Sequence, residues 1–186
     1  NRYLTYDDMC SGIATLNLTY PEHVEVYTVG ESVEGRAIYM LRLTDENSLI
    51  LPEYKPRVFF TASIHGNEPP GREALLRFAE LLAREPVDEI AEIMDRVCVY
   101  IIPSANPDGW IYFTRRNANN VDLNRDFPTR DTLSNSIDPY SQPETHAIVN
   151  AFHAAMPVKY SVDLHGEVSS AYTLDMLQAE RGFTLN

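Results

Sequence analysis

The stretch RVFFTASIHGNEPPGREALLRFAELLA, residues 57–83, decides how the chain is read. Its first part, Arg57 to Ile64, is a short apolar run rich in β-branched and aromatic residues, which predicts a buried strand. Its second part repeats apolar residues at Leu75, Leu76, Ala79, Leu82 and Ala83, the spacing of one helix face. Pro69 and Pro70 can open that helix, because the first turn leaves its N–H groups unpaired and proline has none to leave. Between the two stands a polar turn, His65-Gly66-Asn67-Glu68. A strand that ends on polar residues and feeds a helix is the repeating unit of an α/β sheet.

The same alternation continues on both sides. Val24 to Val29 and Arg36 to Leu43 read as two strands joined by the polar turn Gly30 to Gly35, a hairpin. Arg96 to Ile102 is another apolar strand, closed by Pro103. Pro143 to His153 has a helical pattern, which contains His146 and His153 as ordinary helix residues. Val158 to Leu164 is a further strand. The expected fold is therefore α/β, a mixed and mostly parallel twisted sheet flanked by helices. Strands end just before His65, Asn106 and His165, and open α/β sheets bind ligands at the carboxyl ends of their strands.

With 186 residues, 44% of them hydrophobic, the chain can fill one domain or most of a larger one. No repeat, linker or low-complexity tract interrupts it, and no apolar run reaches the length of a membrane span. The net charge of −12 should repel nucleic acid phosphates. The opening Asn1-Arg2-Tyr3 shows no signal peptide, while Asn17-Leu18-Thr19 is a glycosylation sequon. Cys10 and Cys98 are compatible with one disulfide or with two free thiols.

The chemistry-bearing residues are His65, Glu68 and His165. His65 and Glu68, three apart across a turn, can face one ion, and His165 can join them if the two strands are neighbours. Two histidines and one carboxylate leave a fourth position open for water, the arrangement of a catalytic zinc. A metal-bound histidine usually donates its other ring N–H to a carboxylate, and Asp122 and Asp163 are candidates. TRRNANNVDLNRDFP, residues 114–128, concentrates Arg115, Arg116 and Arg125 among asparagines on an otherwise acidic chain. Such a cluster suits a carboxylate, because arginine pairs with it through two parallel hydrogen bonds. A polar surface loop would explain the same composition. Asn106-Pro107-Asp108-Gly109 is a strong turn signal.

Taken together, SVEGRAIYMLRLTD (32–45), HGNEPPGRE (65–73), PSANPDGW (103–110), RRNANNVDLNRDFP (115–128), QPET (142–145) and LHG (164–166) resemble the zinc metallocarboxypeptidases. They look closest to the branch of carboxypeptidases N, E, M and D. The stretches run in family order across most of the chain. The resemblance implies one zinc ion held by His65, Glu68 and His165, with Asp122 supporting the first histidine. It implies that Arg116 stabilises the oxyanion and that Asn124 and Arg125 grip the C-terminal carboxylate of a peptide or protein. It also implies removal of single C-terminal residues, a preference for Lys or Arg, and a secreted or extracytoplasmic setting.

The family's general-base glutamate and capping tyrosine follow the third zinc ligand, and nothing in Gly166 to Asn186 matches them. Glu167 stands where family members commonly carry a second glycine, and Tyr172 is likewise no match. Residues 1–186 are thus expected to be the N-terminal part of a single carboxypeptidase catalytic domain, with its C-terminal part missing. Peptidoglycan peptidases and N-acyl amino acid deacylases share parts of the pattern. A peptide-binding module that keeps the clamp without turnover is the alternative outside enzymes.

Overall fold

The computed structural model describes residues 3–84, 89–128, 140–166 and 183–185. Its strands are β1 (Val24–Glu31), β2 (Ala37–Leu43), β3 (Arg57–Ala62), β4 (Cys98–Ile102), β5 (Val158–Leu164) and β6 (Phe183–Leu185). Its helices are α1 (Tyr6–Thr19), α2 (Pro69–Ala83), α3 (Glu89–Arg96), α4 (Pro107–Ile111) and α5 (Pro143–Ala154). The strands form one mixed sheet in the order β1-β2-β4-β3-β5-β6. At its centre β3 runs parallel to both β4 and β5. Antiparallel strands extend both sides: the β1–β2 hairpin joins β4, and β6 joins β5.

Alternation along the strands builds a core on each face of the sheet. Leu41, Leu43, Val99 and Ile101 point to one face and pack against α1, α2 and α3 through Met9, Ile13, Leu75, Leu82 and Met94. Ile38, Met40, Cys98, Tyr100 and Ile102 point to the other and pack against α5 through Ala147, Ile148 and Ala151. Every residue of β4 is buried, as expected of a strand covered on both sides. Full burial of one such aliphatic side chain contributes about 1.5–3 kcal/mol.

Several elements differ from the sequence reading. α1 was not expected; Thr5 and Asp8 form a capping box at its start, and Met9 and Ile13 anchor it. α3 takes Glu89–Arg96, so β4 begins at Cys98 rather than at Arg96. β3 ends at Ala62, because Ser63 adopts a left-handed φ of 57° and breaks the strand two residues early. Asn106-Pro107-Asp108-Gly109 is more than a turn. Asn106 caps α4 by accepting from the N–H of Gly109 at 2.9 Å, and Pro107 is its first residue. Cys10 and Cys98 are both free, with Cys98 buried on β4. Among the described residues no helix is long and apolar enough to cross a membrane.

Candidate metal site

The parallel strands β3, β4 and β5 end at the same edge of the sheet, and the polar turns that follow them meet there. His65 leaves the turn after β3, Glu68 immediately precedes α2, and His165 directly follows β5. One potential ligand atom from each lies within 4.8 Å of the other two. Nδ1 of His65 is 2.8 Å from Oε1 of Glu68, and Nδ1 of His165 is 3.0 Å from its Oε2. The backbone N–H of Gly166 also donates to Oε2, at 2.9 Å. His65 and Glu68 are buried, and the two imidazole rings lie 5.0 Å apart.

The outer nitrogens of both rings face carboxylates. Nε2 of His65 lies 3.1 Å from Oδ1 of Asp122, and Nε2 of His165 lies 3.0 Å from Oδ2 of Asp163. Burial opposes the charge on Glu68, but hydrogen bonds from His165, His65 and Gly166 outweigh it and hold its pKa down at about 2. Burial likewise opposes the charge on Asp122, and Arg115 and His65 outweigh it, lowering its pKa. Asp163, and then Glu68, push the pKa of His165 up to about 10. The result is a compact set of two imidazoles and one ionised carboxylate, with His65 and Glu68 buried and His165 partly exposed.

Of the arginines in the polar segment, Arg115 reaches this cluster. Its Nε donates to Oδ2 of Asp122 at 3.0 Å, and Nη1 lies 3.7 Å from Oε1 of Glu68. Arg116, expected to face the reacting carbonyl, instead donates to the backbone carbonyl of Asn120 at 2.8 Å. Neighbouring side chains leave the backbone in different directions, and of the two arginines Arg115 turns toward the cluster. Both arginines line a surface cleft of about 380 Å³ with Glu34, Tyr112, Asn117 and Asn120. The Arg115-Arg116 doublet gave no sequence signal for choosing between them.

Asn124 and Arg125 sit on the short helical turn that follows Asp122, whose side chain accepts from the N–H of Asn124 at 3.1 Å. The Arg125 side chain is exposed and donates to the Asn124 carbonyl at 2.9 Å. The next residue, Asp126, is buried and accepts from Ser141 and from the N–H of Gln142, tying this turn to the start of α5. Beneath the other turns a buried polar network joins the β1–β2 hairpin to α4 and α5. Asp108 accepts from Ser32, the N–H of Glu34 and Arg36, while Glu144 accepts from the N–H of Val33 and from Asn117. Asp108 stands in the turn motif at 106–109, but its partners and those of Glu144 are distant in sequence, so the network itself carries no local pattern. Glu167 and Tyr172 lie outside the described residues.

The profile of the family described as zinc carboxypeptidase matches residues 9–176. Human carboxypeptidase N catalytic chain is 31% identical over 196 residues, covering 89% of this chain and 42% of its own length. Carboxypeptidase E of Caenorhabditis elegans is 34% identical over 156 residues, covering 75% of this chain and 33% of its own. Among solved structures, carboxypeptidase A from Helicoverpa armigera superposes with a TM-score of 0.77 at 25% identity, covering 90% of this chain and 47% of that one. The chain thus spans less than half the length of these relatives. With its mixed sheet and its sequence match, it belongs to the zinc carboxypeptidase family.

Proposed function

We propose that residues 1–186 form the N-terminal, metal- and carboxylate-binding part of a single catalytic domain that hydrolyses the C-terminal peptide bond of peptides or proteins. The convergence of His65, Glu68 and His165 within 4.8 Å carries this reading. Two imidazole nitrogens and an ionised carboxylate gathered within 4.8 Å are a donor set that would hold one zinc ion with a position left for water. When bound, zinc supplies Lewis acidity and lowers the pKa of that water.

The chain's own residues account for the rest. Asp122 holds the proton of His65 on Nε2, which keeps Nδ1 free as a donor to metal. Arg115, within 3.7 Å of Glu68, is proposed to donate to the oxygen that becomes negative as the carbonyl is attacked. It takes the role first expected of Arg116, which keeps a place in the substrate cleft. Asn124 and Arg125 are proposed to hold the free terminal carboxylate and so fix which bond lies at the metal. A preference for C-terminal Lys or Arg and a secreted or extracytoplasmic location belong to the same proposal. The former rests on likeness to the N, E and D branch, and the latter draws support from the exposed sequon at Asn17.

The test is metal content and ligand selectivity. His165→Ala should lose stoichiometric zinc, and full occupancy in that variant would refute the ligand set. Arg125→Ala should lose discrimination between free-acid and C-terminally amidated peptides. A charge-assisted contact of this kind is worth about 1.5–3 kcal/mol, so unchanged discrimination would refute the clamp.

A further inference from the structure

We infer that Asp163, anchored by Thr61, is a positioning residue for His165. The inference rests on the reading of His165 as a metal ligand. Thr61 on β3 and Asp163 on β5 are register partners in the parallel ladder, so their side chains leave the same face of the sheet side by side. The Thr61 hydroxyl donates to Oδ1 of Asp163 at 2.7 Å. The other oxygen, Oδ2, is thereby aimed along the strand, 3.0 Å from Nε2 of His165.

An imidazole that binds metal through one nitrogen must carry its proton on the other. A carboxylate fixed against Nε2 keeps the proton there and leaves the Nδ1 lone pair facing Glu68, 3.0 Å away. The arrangement repeats on the second histidine what Asp122 does on the first. Each ring then turns Nδ1 inward and rests Nε2 on its own carboxylate, at 3.1 Å and 3.0 Å. The two supports differ in origin: Asp122 comes from the polar segment before the short helical turn, whereas Asp163 is built into the sheet and held by its neighbour strand. His165 is the more exposed ligand, its side chain 23% accessible against 2% for His65. With less packing around the ring, orientation depends more on this one hydrogen bond.

The experiment measures zinc affinity by chelator competition for the parent, D163A, D163N and T61V, alongside the ring-nitrogen chemical shifts of His165 in each zinc-loaded protein. Removing the carboxylate partner of a metal-bound histidine typically weakens metal binding about 10–100-fold. D163A is expected to fall in that range, with loss of the single Nε2–H signature. D163N should bind zinc better than D163A, because an amide oxygen can still accept from Nε2. T61V should weaken binding less than D163A and broaden the His165 signals. Parent-like affinity and parent-like ring shifts in D163A overturn the inference while leaving the ligand set intact. If D163A does not fold, the same two results in both D163N and T61V overturn it. A parent protein that binds no zinc overturns the ligand set itself, and the inference with it.

Discussion

Gly66 and Gly109 meet backbone to backbone: a β-carbon built on Gly66 would sit 1.9 Å from the carbonyl carbon of Gly109 and 2.2 Å from the nitrogen of Trp110. The turn carrying His65 and Glu68 therefore rests directly on the start of α4. A β-carbon on Gly109 would in turn lie 2.8 Å from the carbonyl oxygen of Arg116. Three turns that supply or border the candidate site are stacked through two absent side chains. Gly66→Ala should destabilise by at least the ~1–3 kcal/mol typical of overpacking, because the obstacle is backbone and cannot rotate away. Zinc affinity should fall with it, since the displaced turn holds two of the three proposed ligands. Urea denaturation and zinc titration check this; parent-like values in both would mean that the turns separate freely.

The neighbouring arginines make an asymmetric prediction. Arg115 is bound to Asp122 and lies near Glu68, while Arg116 bonds a local carbonyl. Under the proposed reaction, Arg115→Ala should lower kcat by about 10²–10³, the usual loss when one oxyanion donor is removed. Arg116→Ala should leave kcat near the parent value and act on KM, through the cleft it lines. Steady-state kinetics on a free-acid peptide distinguishes the two. The reverse pattern would return the oxyanion role to Arg116.

The same pair marks how far the sequence could be read. The apolar run before His65 and the periodic one after Glu68 declare β3 and α2 directly, because burial imposes period and length. The placement of His65 and His165 follows from two parallel strands that end at one edge. Which arginine turns inward depends on the dihedral angles of an irregular segment, and no periodicity constrains those. α1 was equally legible, since Tyr6, Met9, Cys10, Ile13 and Leu16 recur on one helix face and pack on the core, although only Met9 and Ile13 are fully buried. The acids at 108, 126 and 144 are legible only once the loops they join are in place. Each is satisfied by residues distant in sequence, such as Ser32, Thr145 and Asn117.

Asp126 gives a pH-dependent prediction. Burial opposes its ionisation, but hydrogen bonds from Thr145, from Ser141 and from the N–H groups of Ser141 and Gln142 outweigh it and lower the pKa below the ordinary 3.8. A carboxylate whose pKa is lower folded than unfolded adds stability above the unfolded value, and that stability is lost as pH falls through the folded one. With chelator present, the parent should therefore lose stability steadily below about pH 4. Asp126→Asn should be less stable than the parent at pH 7, and the gap should narrow at pH 3. Denaturation curves at the two pH values measure it. A gap that stays constant would place the effect in packing rather than in the charge.

Arg72 is a buried cation beneath the candidate metal site, and its burial requires a structural reason. It is 2% exposed, stacks its guanidinium 3.9 Å from the Trp110 ring centre, and donates from Nη1 to Ser63 Oγ and the Gly66 carbonyl, both at 3.2 Å. Burial pulls its pKa down to about 10, which still leaves it charged at neutral pH. Ser63 and Gly66 flank the segment that carries His65, so one planar group fixes both ends of the turn. A lysine ammonium is a point charge without a flat face or a fork, and it cannot stack and reach both acceptors together. Arg72→Lys should cost roughly 1–3 kcal/mol, the range for leaving a buried acceptor unpaired, and should weaken zinc binding. Arg72→Met, which removes the charge as well, separates packing from hydrogen bonding. If Met is tolerated better than Lys, the charge itself destabilises and the turn is held mainly by Trp110 and Gly109. If both variants lose zinc equally, the two hydrogen bonds of the guanidinium hold His65 in place.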